Sequence, residues 1–138
     1  MIGITQIWER LFLGSLYDAE RLGRANPLGI SAVISLSATG PCNTRCDINY
    51  IHLHVEDAQA IPVRQFDAVM GAIAENIRRR RVLLHCGSGI SRAPIMTAAW
   101  MHAVGYKSLD TALLEIAGLR PVIAPSAILL ASVRELLR

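Results

Sequence analysis

No run in this chain reaches the roughly 18 uncharged apolar residues that a membrane-crossing helix needs, so no membrane partner is expected. The opening, Met1-Ile2-Gly3-Ile4-Thr5-Gln6, lacks the basic patch, apolar run and cleavage site of a secretory signal. The cytosol is therefore the expected place, and a stand-alone enzyme without tails the expected form. Cysteine is scarce: the three are Cys42, Cys46 and Cys86, an odd count that argues against a disulfide framework. Low-complexity tracts, internal repeats and linker-like stretches are absent, which excludes disorder and predicts one domain over 1–138. Aromatic residues do not interleave the densest basic cluster, Arg78-Arg79-Arg80-Arg81. That cluster reads as a solvated helix end near the negative pole of its dipole, not as a nucleic-acid surface.

What is present is a chain of 138 residues, 52% of them hydrophobic, with a formal net charge of +3. That length supports a true core, and the mild positive balance suits an anionic substrate. Ile4–Ile7 and Leu11–Leu13 read as two short strands of a hairpin-like start. Ser15 is placed to cap a helix over Leu16–Gly23, and Asn26-Pro27-Leu28-Gly29 is a turn. Ala32–Leu36 reads as a buried strand. Tyr50–Val55 alternates, with Ile51, Leu53 and Val55 on one face and His52 and His54 on the other. Val63–Arg79 spaces Val63, Phe66, Val69, Met70, Ile73 and Ile77 as one helical stripe. Val82–His85 is the next buried strand. A helix with Pro94 as its first residue then runs to Val104, followed by helices over Ser108–Ala117 and Ser126–Leu137. Alternating strands and helices predict an α/β fold: a three-layer sandwich with a mostly parallel central sheet of four or five strands flanked by helices.

The segment that carries chemistry is Leu83-Leu84-His85-Cys86-Gly87-Ser88-Gly89-Ile90-Ser91-Arg92-Ala93-Pro94. A buried strand ends at a cysteine, and an arginine opens a helix after five intervening residues. A tight turn at a helix N-terminus gathers backbone N–H groups into a concavity fit for a phosphate-sized anion. Gly87 and Gly89 allow the backbone crowded or left-handed conformations there. Arg92 supplies two parallel donors to phosphate oxygens. Cys86 lies at the floor, where the same dipoles and cation favour the ionised, nucleophilic sulfur. This predicts phosphoryl transfer through a cysteinyl-phosphate. The departing oxygen needs a proton, and Asp57, on a loop directly after a strand, is the leading acid, with Glu56 and Asp47 as alternatives. No cofactor or metal is needed.

His85-Cys86-x5-Arg92 on a strand–loop–helix resembles the signature of the protein tyrosine phosphatase superfamily. The rest is similar to its compact dual-specificity branch. Trp8-Glu9-Arg10-Leu11-Phe12-Leu13-Gly14-Ser15 resembles the branch's opening strands. Tyr50-x-His52-Leu53-His54-Val55-x-Asp57 resembles its general-acid loop, and Arg120-Pro121-x-Ile123-x-Pro125 the segment before its last helix. The resemblance implies Cys86 as nucleophile, Arg92 as phosphate clamp and Asp57 as acid. It implies a phosphate loop of Gly87, Ser88, Gly89, Ile90, Ser91 and Arg92. The substrate implied is a phosphoprotein or phosphopeptide bearing phosphotyrosine, with phosphoserine and phosphothreonine in reach of a shallow cleft, and the product is the phosphate ion.

Two positions depart from the family. Ala93 stands where a serine or threonine usually follows the arginine and helps the sulfur leave, so slower breakdown of the intermediate, or help from Ser88 or Ser91, is expected. Ser126 stands where the family commonly has asparagine. The phosphate loop also lacks the lysine of many phosphoinositide-directed relatives, which favours a phosphoprotein. Two other classes stay open on the residues: a phosphate-binding module with little turnover, kept in play by Ala93, and another anion-handling thiol enzyme such as a sulfurtransferase or arsenate reductase. His85 reads as a buried partner that orients the loop. Cys42, Cys46, His52 and His54 do not match a common zinc spacing; either of the first two is a candidate for a reversible disulfide with Cys86.

Overall fold

The computed structural model describes residues 3–138. Five strands, β1 (Thr5–Trp8), β2 (Leu11–Ser15), β3 (Ala32–Ser35), β4 (Asn49–His52) and β5 (Val82–Cys86), form one sheet in the order β1-β2-β5-β3-β4. β1 lies antiparallel to β2, and the other pairings are parallel. Five helices accompany them: α1 (Leu16–Arg21), α2 (Val63–Ile77), α3 (Arg92–Ala103), α4 (Leu109–Leu119) and α5 (Ala127–Leu136).

Alternation along the central strands divides the apolar residues between two layers. Leu11, Leu13, Ile34, Val82 and Leu84 pack with α2, α3, α4 and α5 through Phe66, Ile95, Met96, Ile116 and Leu129. Phe12, Val33 and Leu83 point the other way, onto Ala19 and Leu22 of the α1 region and onto Ile30 and Ile48. The result is the expected three-layer sandwich, thick on one side and thin on the other.

Several boundaries differ from the sequence reading, each for a physical reason. β2 runs on to Ser15, because Gly14 and Ser15 keep pace with His85 and Cys86 across the ladder. Ser15 then also caps α1 in a reciprocal box with Asp18. β4 stops at His52, although Leu53 and Val55 still donate backbone bonds to Ser35 and Leu36. That segment follows β3 past its end without a regular ladder. Pro94 is the third residue of α3, not the first, since the helix opens at Arg92. The position is tolerated because the first-turn N–H groups have no intrahelical acceptor to lose. In α2, Val63 lies outside the buried stripe, which is Phe66, Val69, Ile73 and Asn76.

The arginine cluster divides. Arg78, Arg79 and Arg80 are exposed beyond the end of α2. Arg81 instead stacks over Phe12 at 4.8 Å and donates to the carbonyls of Leu28 and Glu9. Among the described residues no helix is long and apolar enough to cross a membrane.

Candidate active site

Parallel strands deliver their C-terminal ends to one edge of the sheet, where ligands bind in open α/β folds. Cys86 ends β5 there, 1% exposed, directly opposite Ser15 of β2. Residues 87–91 then turn the chain into α3. Gly89 holds φ +74°, and a Cβ on it would stand 2.6 Å from the carbonyl oxygen of Gly14 and 2.7 Å from Arg120 Nη2. Glycine is required there on both counts. Gly87 does not adopt a left-handed φ; its constraint is space, with Arg92 Nη2 3.3 Å from where a Cβ would sit.

Segments distant in sequence hold Gly87, Gly89, Ile90 and Ser91 of this loop. Leu16 N–H donates to the Gly87 carbonyl at 3.0 Å, and Ala124 N–H to that of Ile90 at 2.7 Å. Arg120, 1% exposed, donates Nε to the Gly89 carbonyl at 2.9 Å and Nη1 to Gly3 O and Thr5 Oγ1. Burial holds its guanidinium below the usual arginine pKa, opposed by Asp18 and Cys86. Ser126 N–H donates to Ser91 Oγ at 3.0 Å. Sequence reasoning saw Arg120 and Ser126 only through resemblance, because nothing in local periodicity shows that the start of α5 packs on the loop after β5.

His85 points to the face opposite Cys86, fully buried. Its Nδ1 lies 3.2 Å from the Cys86 carbonyl and its Nε2 2.6 Å from Ser35 Oγ. A carbonyl only accepts, so Nδ1 carries the proton and Nε2 accepts from the serine. Burial pushes the imidazole below its ordinary pKa of 6.5, only partly offset by its bond to Cys86. It is a neutral tie between β3 and the loop.

Cys86 Sγ accepts the Ala93 N–H at 3.4 Å. Arg92 is gripped on one side, Nη1 donating to Leu36 O at 3.3 Å and Val55 O at 3.0 Å. Its Nε is buried and, among the described residues, takes no protein acceptor, while Nη2 lies beside Gly87. The Nε–Nη2 edge, which pairs with oxyanions in two parallel bonds, is thus turned to the loop.

Asp57 reaches the same place. Its Oδ1 accepts from Ser91 Oγ at 2.8 Å. The alternative acids do not join it. Asp47 is exposed in a fork with Arg45, whose hydrogen bond holds its carboxyl below the usual range. Glu56 turns to His54, 3.6 Å away. Ser88 is exposed at the rim, and Ser91 spends its proton on Asp57, so neither hydroxyl replaces the one that Ala93 lacks. Cys42 and Cys46 are exposed free thiols, with the backbone N–H groups of Cys42 and Asn43 held by the Glu20 carboxylate. Among the described residues no three His, Cys, Asp or Glu side chains gather as metal ligands would. A concavity of about 1140 Å³ by Tyr17, Arg21, Arg24 and Leu28 contains none of the loop residues.

Known proteins resemble this chain in sequence and in fold. The profile described as dual specificity phosphatase, catalytic domain, matches residues 11–138. Dual specificity protein phosphatase 1-A of Xenopus laevis is 29% identical over 126 residues, 90% of this chain and 34% of the relative. Tyrosine-protein phosphatase vhp-1 of Caenorhabditis elegans is 30% identical over 128 residues, 90% of this chain and 20% of the relative. This chain thus spans 34% or less of the length of these relatives. The crystal structure of DUSP15 superposes with a TM-score of 0.86 at 25% identity, covering 98% of this chain and 87% of that one. With the profile spanning nearly the whole chain and the fold agreeing, this chain belongs to the dual specificity phosphatase catalytic-domain family of the protein tyrosine phosphatase superfamily.

Proposed function

We propose that residues 1–138 form one catalytic domain of a cysteine-dependent protein phosphatase, acting on phosphotyrosine and on phosphoserine and phosphothreonine. The observation that carries this is Arg92: one side fastened to Leu36 and Val55, the Nε without a protein acceptor among the described residues in a buried position, and Cys86 Sγ at the same helix N-terminus. A buried donor without a partner costs about 1–3 kcal/mol, and a phosphate oxygen relieves it.

In this reading the loop amides of Gly87, Ser88, Gly89, Ile90, Ser91 and Arg92 hold the phosphate. Cys86 attacks phosphorus as a thiolate and the ester oxygen leaves with a proton from Asp57. Water then cleaves the phosphocysteine, with Asp57 as base, and free phosphate departs. Ala93 offers the sulfur a backbone N–H where most relatives add a hydroxyl. The neutral side chains of 87–91 favour a phosphoprotein over a phosphoinositide. The binding-module and other thiol-enzyme readings are not favoured, since the family match extends over 11–138 and the relatives are named phosphatases.

The test is hydrolysis of an aryl phosphate in EDTA by the wild type, Cys86→Ser and Asp57→Asn. Metal-independent turnover is expected, abolished by the first change and cut roughly 10²-fold or more by the second. Turnover that survives Cys86→Ser would remove the nucleophile assignment. Faster turnover of phosphoinositides than of phosphopeptides would remove the substrate assignment.

A further inference from the structure

The Ser91 hydroxyl stands between the start of α5 and the acid loop. It receives the Ser126 N–H at 3.0 Å and contacts Asp57 Oδ1 at 2.8 Å. An N–H only donates, and a hydroxyl has one proton. The Ser126 bond therefore occupies a lone pair of Ser91 and leaves its proton for Asp57. Oδ1 of Asp57 also receives the Ala58 N–H at 3.0 Å. Ala58 holds φ +55°, a left-handed conformation that a residue with a Cβ adopts at a cost. Both donors thus meet one carboxylate oxygen, and among the described residues Oδ2 receives none.

We propose that Ser91 is a positioning residue for the acid. Together with the Ala58 amide it commits Oδ1 to accepting, so that Oδ2 is the oxygen that carries the transferable proton. This rests on the reading of Asp57 as the acid. In the first step the Cys86 sulfur bonds to phosphorus, the phosphorus–oxygen bond to the leaving group breaks, and the proton on Oδ2 passes to the departing oxygen. In the second a water oxygen bonds to phosphorus, the sulfur–phosphorus bond breaks, and the water's proton goes to Oδ2. Oδ1 keeps its two donors throughout, so the carboxyl need not rotate between steps.

The pairing also links three regions far apart in the chain. The start of α5 fixes Ser91, and Ser91 fixes the loop after β4. Ser91 belongs to the phosphate loop itself, so the acid is registered against the same turn that holds the phosphate. A misplacement of reacting groups by about 1 Å can cost 10²-fold in rate, which gives such registration a use.

A series of aryl and alkyl phosphates with increasingly basic leaving groups tests this, measured as kcat/KM. The proteins are wild type, Ser91→Ala, Ser91→Thr, Asp57→Asn and the double variant Ser91→Ala/Asp57→Asn. An acid matters most when the leaving group is poor. Ser91→Ala is expected to lose roughly tenfold more on the poorest leaving group than on nitrophenyl phosphate, and Ser91→Thr to restore the wild-type dependence. In the Asp57→Asn background Ser91→Ala is expected to add no further leaving-group dependence. Equal losses across the series would mean that Ser91 serves only the shape of the loop, which overturns the proposal. So would an added dependence in the double variant. A wild-type dependence in Asp57→Asn would overturn the acid assignment and the proposal with it. A steep dependence in Asp57→Asn beside an unchanged one in Ser91→Ala would overturn the proposal alone.

Discussion

Ala93 has no hydroxyl to offer the Cys86 sulfur, which here has the Ala93 backbone N–H at 3.4 Å. A hydrogen bond to a charged group is worth about 1.5–3 kcal/mol, so a donor added there speeds departure of the thiolate. Ala93→Ser is expected to raise the steady-state rate after the first turnover roughly tenfold or more, with little change in the rate of the burst itself; rapid-mix kinetics on an aryl phosphate separate the two. A variant that speeds the burst and leaves the steady state alone would place the effect of the added hydroxyl in the first step. At this scale much was legible beforehand. Cys86 and Arg92 stand at the two ends of one turn, because a strand end, a five-residue turn and a helix start leave little freedom in where they point, and Asp57 meets that turn at Ser91. The direction of the Ser91 proton was not legible, since it depends on Ser126.

Elements decide how firmly the loop is held. The segment from Arg120 to Ser126 bonds to Gly89, Ile90 and Ser91 in turn, while Leu16 at the start of α1 bonds to Gly87. Arg120 is the anchor, its guanidinium serving Gly89 O, Gly3 O and Thr5 Oγ1 from a fully buried position. Arg120→Met keeps much of the volume but leaves these acceptors unpaired, at about 1–3 kcal/mol for each that water does not reach. The expected outcome is a lower midpoint in urea unfolding together with weaker inhibition by vanadate or phosphate, because Gly89 loses its tether. A destabilised variant with unchanged phosphate affinity would confine Arg120 to holding the N-terminal strand. The α2 stripe and the apolar run of β5 were readable from spacing. The end of β4 was not, because the alternation from Ile51 to Val55 continues after the ladder has stopped.

Across the whole molecule, His85 joins the sheet to the loop as a neutral base in a dry place. The unfolded chain protonates this histidine near 6.5, and the folded protein resists doing so at that pH. Unfolding therefore takes up a proton as the pH falls below 6.5, and stability declines by up to about 1.4 kcal/mol per pH unit until His85 also protonates in the folded state. Above 6.5 this contribution is constant. Urea unfolding at steps from pH 7.5 to 5 is expected to show that slope, and His85→Asn to flatten it. An identical slope in the variant would assign the acid sensitivity to other groups. The carboxylates of Asp47 and Asp110, held low by Arg45 and Arg134, add their own loss only at lower pH.

Local order along the chain was enough to point to the candidate site: the alternation of strands and helices, the cysteine at a strand end, the arginine at a helix start and the aspartate after a strand are all short-range patterns. Backbone sterics and the periods of helix and strand make such patterns visible without a fold. Packing settled the rest. It put α1 alone on one face and four helices on the other, moved Pro94 to the third position of α3, paired Asp47 with Arg45 and Glu56 with His54, and set Arg120 and Ser126 on the loop after β5. Those outcomes depend on hydrogen bonds between residues widely separated in the chain, and no local period reports which distant donor will reach a given acceptor.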